Sequence, residues 1–72
     1  MKFIVEYNGR EFRRNLNLTQ QELADLIGVS KNVISDFEVG NYLPSIHVSL
    51  KLMTVFNCSF DDLFTYYKIF ER

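Results

Sequence analysis

Apolar and polar positions alternate loosely at both ends of this chain and recur at helical spacing in between. From Met1 to Tyr7 the residues Phe3, Ile4, Val5 and Tyr7 stand among the polar Lys2 and Glu6, an aromatic and β-branched bias that predicts a short strand. Asn8-Gly9 then admits two readings, a hairpin turn or a helix start at which Asn8 caps and Glu11 closes a capping box. Thr19 with Glu22 three residues on forms a second box. Leu23, Ala24, Leu26 and Ile27 follow as a buried stripe, and Gly28 stands where the helix needs a left-handed stop. Ser30 caps the next helix, whose inward positions are Val33, Ile34 and Phe37 and whose stop is Gly40. Pro44 biases Leu43 away from helix, and Ser45 opens a helix to about Phe56 with Ile46, Leu50, Met53 and Val55 or Phe56 expected inward. Asn57-Cys58 ends it, Ser59 caps a last helix with Asp61 and Asp62 in its first turn, and Leu63 and Phe64 close the core.

Two short amphipathic helices joined by a turn containing glycine make a helix-turn-helix unit. In that unit the second helix enters a DNA major groove with its N-terminal residues towards base edges. The exposed positions there are Lys31 and Asn32, with Ser35 and Asp36 one turn later. Lysine donates to guanine O6 and N7, asparagine pairs with adenine, a carboxylate accepts from cytosine N4, and Val33 offers an apolar contact to a thymine methyl.

Composition narrows the field. Seventy-two residues fit a single domain, 1–72, with a core at about 8–66 and terminal segments 1–7 and 67–72. So short a chain has limited apolar surface to bury, which favours oligomerisation. The lone Cys58 makes no internal disulfide and no cysteine-based metal site, and no leader-like or membrane-length apolar run appears, so a cytoplasmic location is expected. Eight lysines and arginines against nine acids leave a net charge of −1. The local field matters more than that total: Arg10, Arg13, Arg14 and Lys31 lie in the first half, Asp61, Asp62 and Glu71 near the other end. Modest non-specific affinity for nucleic acid follows from so few cations.

The residues Leu18-Thr19-Gln20, Glu22-Leu23-Ala24, Ile27-Gly28-Val29-Ser30, Ile34-Ser35, Phe37-Glu38 and Gly40 resemble the Cro/C1-type helix-turn-helix domain of phage repressors and small bacterial regulators. Pro44-Ser45, Leu50, Leu52, Phe56 and Asp61-Asp62-Leu63-Phe64 continue the pattern, so the resemblance covers about residues 8–66. It implies an all-α, five-helix, lambda-repressor-like domain, and therefore a helix before Leu18 with Asn8 as its cap. Gly9, Ser49 and Asp36 depart from the apolar, leucine and polar or basic residues usual at their positions, and Cys58 takes a buried place usually held by valine. The resemblance further implies a structural ion pair between Arg13 and Glu38, and a Gln20 that binds phosphate and braces the reading helix. Thr19, Arg10, Arg14, Asn41 and Tyr42 are the other expected phosphate contacts.

The tail Tyr66-Tyr67-Lys68-Ile69-Phe70 is unusually aromatic. Either it pairs with Lys2 to Glu6 in a small antiparallel sheet, or the last helix extends to about Phe70. Short family members with such a sheet dimerise there, which makes Tyr66, Tyr67, Ile69 and Phe70 the expected homodimer contact. The resemblance thus implies a dimeric repressor on double-stranded palindromic DNA, with no cofactor, metal, membrane or small-molecule ligand. An antitoxin- or adaptor-like protein-interaction module is the rival reading, favoured by Asp36, the net acidity and the aromatic tail. Enzymatic chemistry is not expected: His47 is the sole histidine, and no nucleophile–base pair, phosphate loop or metal spacing appears.

Overall fold

The computed structural model describes residues 1–70; the last two positions of the tail, Glu71 and Arg72, lie outside the described residues. Five helices and two strands follow one another as β1 (Lys2–Tyr7), α1 (Gly9–Asn15), α2 (Gln20–Ile27), α3 (Lys31–Val39), α4 (Ile46–Phe56), α5 (Phe60–Leu63) and β2 (Phe64–Ile69). The extended-helix alternative for the tail is thereby excluded. β1 and β2 pair antiparallel from Lys2↔Ile69 to Tyr7↔Phe64, in a two-stranded ribbon.

The helix boundaries obey local chemistry. The Thr19 hydroxyl accepts from the Glu22 N–H at 3.0 Å while the Glu22 carboxylate accepts from the Thr19 N–H at 2.9 Å. Ser30 and Ser45 cap α3 and α4 through the N–H groups of Val33 and Val48. Gly28 and Gly40 end α2 and α3 at φ of 74° and 82°, left-handed values at which a side chain is strained. Asn57 closes α4 in the same region at φ 51°. Asp62 makes a box with Ser59 at the start of α5, a reciprocal pair beyond the dipole role expected of it.

Asn8 departs from its expected role. It precedes α1, but its amide donates to the Asp62 carbonyl and to the Thr65 hydroxyl at 2.9 Å instead of capping, so Glu11 has no box partner. The ribbon's return past the N-terminus of α1 captures the side chain: Asn8 also donates its backbone N–H to the Leu63 carbonyl. Gly9 starts the helix because a Cβ there would fall onto the Tyr7 ring, which lies over it.

The core comprises Leu23, Ala24, Ile27, Ile34, Phe37, Leu52, Phe56, Leu63 and Phe64. Leu26, expected inside, is 61 % exposed, because the inward stripe of α2 is only as wide as Leu23, Ala24 and Ile27. In α4 the expected face is rotated: Ile46 and Leu50 are exposed, and Ser49, Leu52 and Phe56 point inward. The polar His47, Lys51 and Thr54 of that helix share one side and the buried Ser49, Leu52 and Phe56 lie opposite them, while Ile46 and Leu50 fall at the exposed margin of a wide apolar arc. Ser49 spends its hydroxyl on the Ser45 carbonyl at 2.8 Å, which satisfies the buried oxygen. Val33, Met53, Val55 and Cys58 are half-buried, at the rim of the core rather than within it. Phe12 is half-buried too, and it ties α1 to α4 by stacking on Phe56 at 5.6 Å.

Candidate nucleic-acid interface

α3 is held at its far end and free at its near end. Glu38, in its last turn, has a side chain with no exposure to solvent. The Arg13 guanidinium of α1 reaches it through two nitrogens, at 2.7 and 3.0 Å, and donates a third hydrogen bond to the Leu18 carbonyl at 2.7 Å. Gln20, in the first turn of α2, donates to the same carboxylate at 3.1 Å, and Arg10 approaches it at 3.4 Å. Burial alone would raise the Glu38 carboxyl, but hydrogen bonds from Arg13 and Gln20, with the Arg13 charge, outweigh it and hold the group below the ordinary carboxylate value. The hydrogen bond to Glu38 likewise raises Arg13. Three elements therefore converge on one buried carboxylate, and α1 and the start of α2 are set against α3 in one geometry.

At the other end of α3, Lys31 and Asn32 are exposed and engage no hydrogen bond among the described residues. Ser35 is half-buried one turn on. Asp36 is committed within the chain: it accepts from the Asn41 amide at 2.9 Å. Burial, then the nearby Asp36 charge, raises the Tyr42 phenol, and the Tyr42 ring meets Phe37 edge-on at 5.5 Å. Asp36, Asn41 and Tyr42 thus form a cluster that closes the C-terminal end of α3. Arg14 is exposed on α1, and the Thr19 hydroxyl, an acceptor in the capping box, keeps its O–H to donate.

The residues expected at a protein contact divide between surfaces. Opposed residues in the ribbon share a face, so Tyr66 lies with Val5, and Tyr67 and Ile69 lie with Ile4 and Lys2 on the other side. Phe70 lies past the strand end and is 78 % exposed.

Tyr7 is the site residue that the sequence concealed. Its ring, at the base of β1, packs on Phe37 of α3 at 5.7 Å and on Phe64 at 6.2 Å, beside the Glu38 cluster. The sequence cue was the glycine two residues on, Gly9, whose missing side chain leaves room for the ring.

This arrangement, a capped α2, a left-handed glycine turn and an α3 free at its N-terminus, matches a helix-turn-helix family model over residues 10–63. The chain belongs to the Cro/C1-type helix-turn-helix family of transcriptional regulators. An uncharacterized HTH-type transcriptional regulator of Archaeoglobus fulgidus is 40 % identical over 57 residues, spanning 79 % of this chain and 80 % of that one. The P22 c2 repressor, solved in complex with a synthetic operator, superposes with a TM-score of 0.70 at 32 % identity, over 74 % of this chain and 80 % of its own. The transcriptional regulator VanUg superposes with a TM-score of 0.73 at 25 % identity, over 93 % of this chain and 89 % of its own. The family match stops short of β2, whereas the VanUg superposition takes in nearly the whole chain. As a family member the chain is a DNA-binding helix-turn-helix regulator.

Proposed function

We propose that the chain is a dimeric repressor that reads a palindromic operator through the N-terminal turn of α3. The observation that carries this reading is the division of α3: its C-terminal turn is locked by Arg13, Gln20 and Glu38, and Lys31 and Asn32 stand exposed and unengaged. A pre-positioned helix presents these two side chains to base edges without a backbone ordering cost at the moment of contact. Val33 in the same turn and Ser35 one turn on, both half-buried, contribute at its margin. Asp36 gives one carboxylate oxygen to the Asn41 amide, which shapes the end of the helix, and keeps its second oxygen to accept from a base. Gln20 and Thr19 at the start of α2, with Arg10, Arg14, Asn41 and Tyr42, supply the phosphate contacts that fix register. The operator-bound P22 c2 repressor supports the mode of contact.

A single domain of this size spans few base pairs, so useful specificity needs two copies. A two-fold dimer would set its reading helices about 34 Å apart on one face of B-form DNA. Occupancy of the site by such a dimer would block transcription.

Selection of genomic fragments by the purified protein tests the reading, beside a Lys31→Ala/Asn32→Ala variant. Enrichment of a palindromic sequence that the variant loses is the expected result. If neither protein enriches a sequence at low salt while both remain folded, the repressor reading fails and a protein-interaction role takes its place.

A further inference from the structure

The ribbon presents two apolar faces and two strand edges, and the sequence of β1 distinguishes one edge from the other. Lys2 to Glu6 are all exposed, with Phe3 at 55 % and Ile4 and Val5 at 40 %. Among the described residues the backbone of β1 pairs with β2 and with nothing on its outer side. An unpaired edge of this kind is a template for another strand, and a two-stranded ribbon is only marginally stable by itself. The described molecule measures 45 × 22 × 21 Å, a shape that the projecting ribbon extends.

Two copies related by a two-fold axis perpendicular to the sheet pair antiparallel, and each side chain keeps its face. One residue of the strand must therefore stand opposite its own copy. With Ile4 at that position, Phe3 faces the partner's Val5 and Lys2 faces the partner's Glu6. Aromatic against β-branched, and cation against anion, are favourable cross-strand pairs. Within the protomer Lys2 stands opposite Ile69 and Glu6 opposite Thr65, so neither charge meets its opposite across β2. The outer edge of β2 offers nothing comparable. Centred on Tyr67 it leaves Lys68 opposite the partner's Tyr66, and centred on Lys68 it opposes two ammonium groups. We infer that the β1 strands of two copies pair edge to edge about Ile4, joining the two ribbons into one four-stranded antiparallel sheet. The inference rests on the dimeric reading above and specifies its partner surface and register.

The test uses the full chain, with dimer dissociation constants from sedimentation equilibrium at low salt and circular dichroism to verify folding. Lys2→Glu and Glu6→Lys each place like charges at both ends of the seam and should weaken dimerisation about 5- to 10-fold. The Lys2→Glu/Glu6→Lys double variant restores opposite pairs and should return to within about twofold of wild type. In a Cys58→Ser background, a short bismaleimide should cross-link Ile4→Cys to itself. Tyr67→Cys should stay monomeric on a denaturing gel, because three strand spacings, about 14 Å, separate its two copies. A dimer indifferent to the charge changes, or one cross-linked through Tyr67→Cys and not Ile4→Cys, overturns the register and leaves the dimeric reading standing. A wild-type protein that is monomeric both free and on its operator overturns both.

Discussion

The Tyr7 hydroxyl is buried with no hydrogen-bond partner among the described residues, at the point where β1 meets α3. Burial, with the Glu38 charge beside it, pushes the phenol above its ordinary value, so it stays neutral throughout the range in which the protein folds. An unsatisfied buried hydroxyl carries its desolvation cost without a return, whereas the ring is held by Phe37, Phe64 and the space above Gly9. Tyr7→Phe should therefore raise the unfolding free energy by about 1 kcal/mol, read as a higher urea midpoint at unchanged slope. A lower midpoint would mean that the hydroxyl is satisfied in solution.

At the scale of elements, the lock on α3 is a buried charge cluster, and its worth is pH-dependent. Removing Glu38 leaves the Arg13 guanidinium facing an empty site, so Glu38→Ala should cost about 3 kcal/mol of stability in urea unfolding at neutral pH. The folded-state Glu38 value lies below the ordinary 4.5, so the folded protein binds this proton less readily than the unfolded chain does. Its stabilisation is fully present above that ordinary value and is lost as the pH falls through the folded value. The gap in stability between wild type and Glu38→Gln should accordingly be constant above about pH 5.5 and narrow on acidification below 4.5. A gap that widened with acid would show that Glu38 is protonated more readily in the fold than out of it.

At the scale of the whole molecule, a net charge of −1 sits on a chain whose candidate DNA-facing cations are Arg10, Arg14 and Lys31. Arg13 is committed to Glu38 and does not join them. Three such side chains from each copy of a dimer limit the dependence of log affinity on log salt to a slope no steeper than about −5. Arg14→Ala should make that slope shallower by about 2 units for a dimer and weaken binding evenly across DNA sequences. Fluorescence anisotropy with a labelled operator over a salt series measures both. An unchanged slope would remove Arg14 from the phosphate contacts.

The sequence by itself determined whatever depends on neighbours within one turn. The Thr19–Glu22 box, the serine caps at Ser30, Ser45 and Ser59, and the left-handed stops at Gly28 and Gly40 follow from local hydrogen bonding and backbone sterics, and each stands where local chemistry puts it. The exposed first turn of α3, with Lys31 and Asn32, was legible for the same reason, since its position is set by the cap before it. The meeting of Arg13 with Glu38 was legible only through family resemblance, because 25 residues separate the two and no local period joins them. Tertiary structure decided how much of the wide apolar arc of α4 is covered: the buried face lies opposite His47, Lys51 and Thr54, but Ser49 stands at its centre, and packing leaves Ile46 and Leu50 at the exposed margin. It also decided the use of Asn8, a competent cap whose amide the returning β2 strand claims first. The same return brings Phe64 opposite Tyr7, and their rings close the core that the helices leave open at that end. Long-range pairing of this kind leaves no periodic trace in the chain, because it is set by which surfaces remain uncovered once the helices have packed.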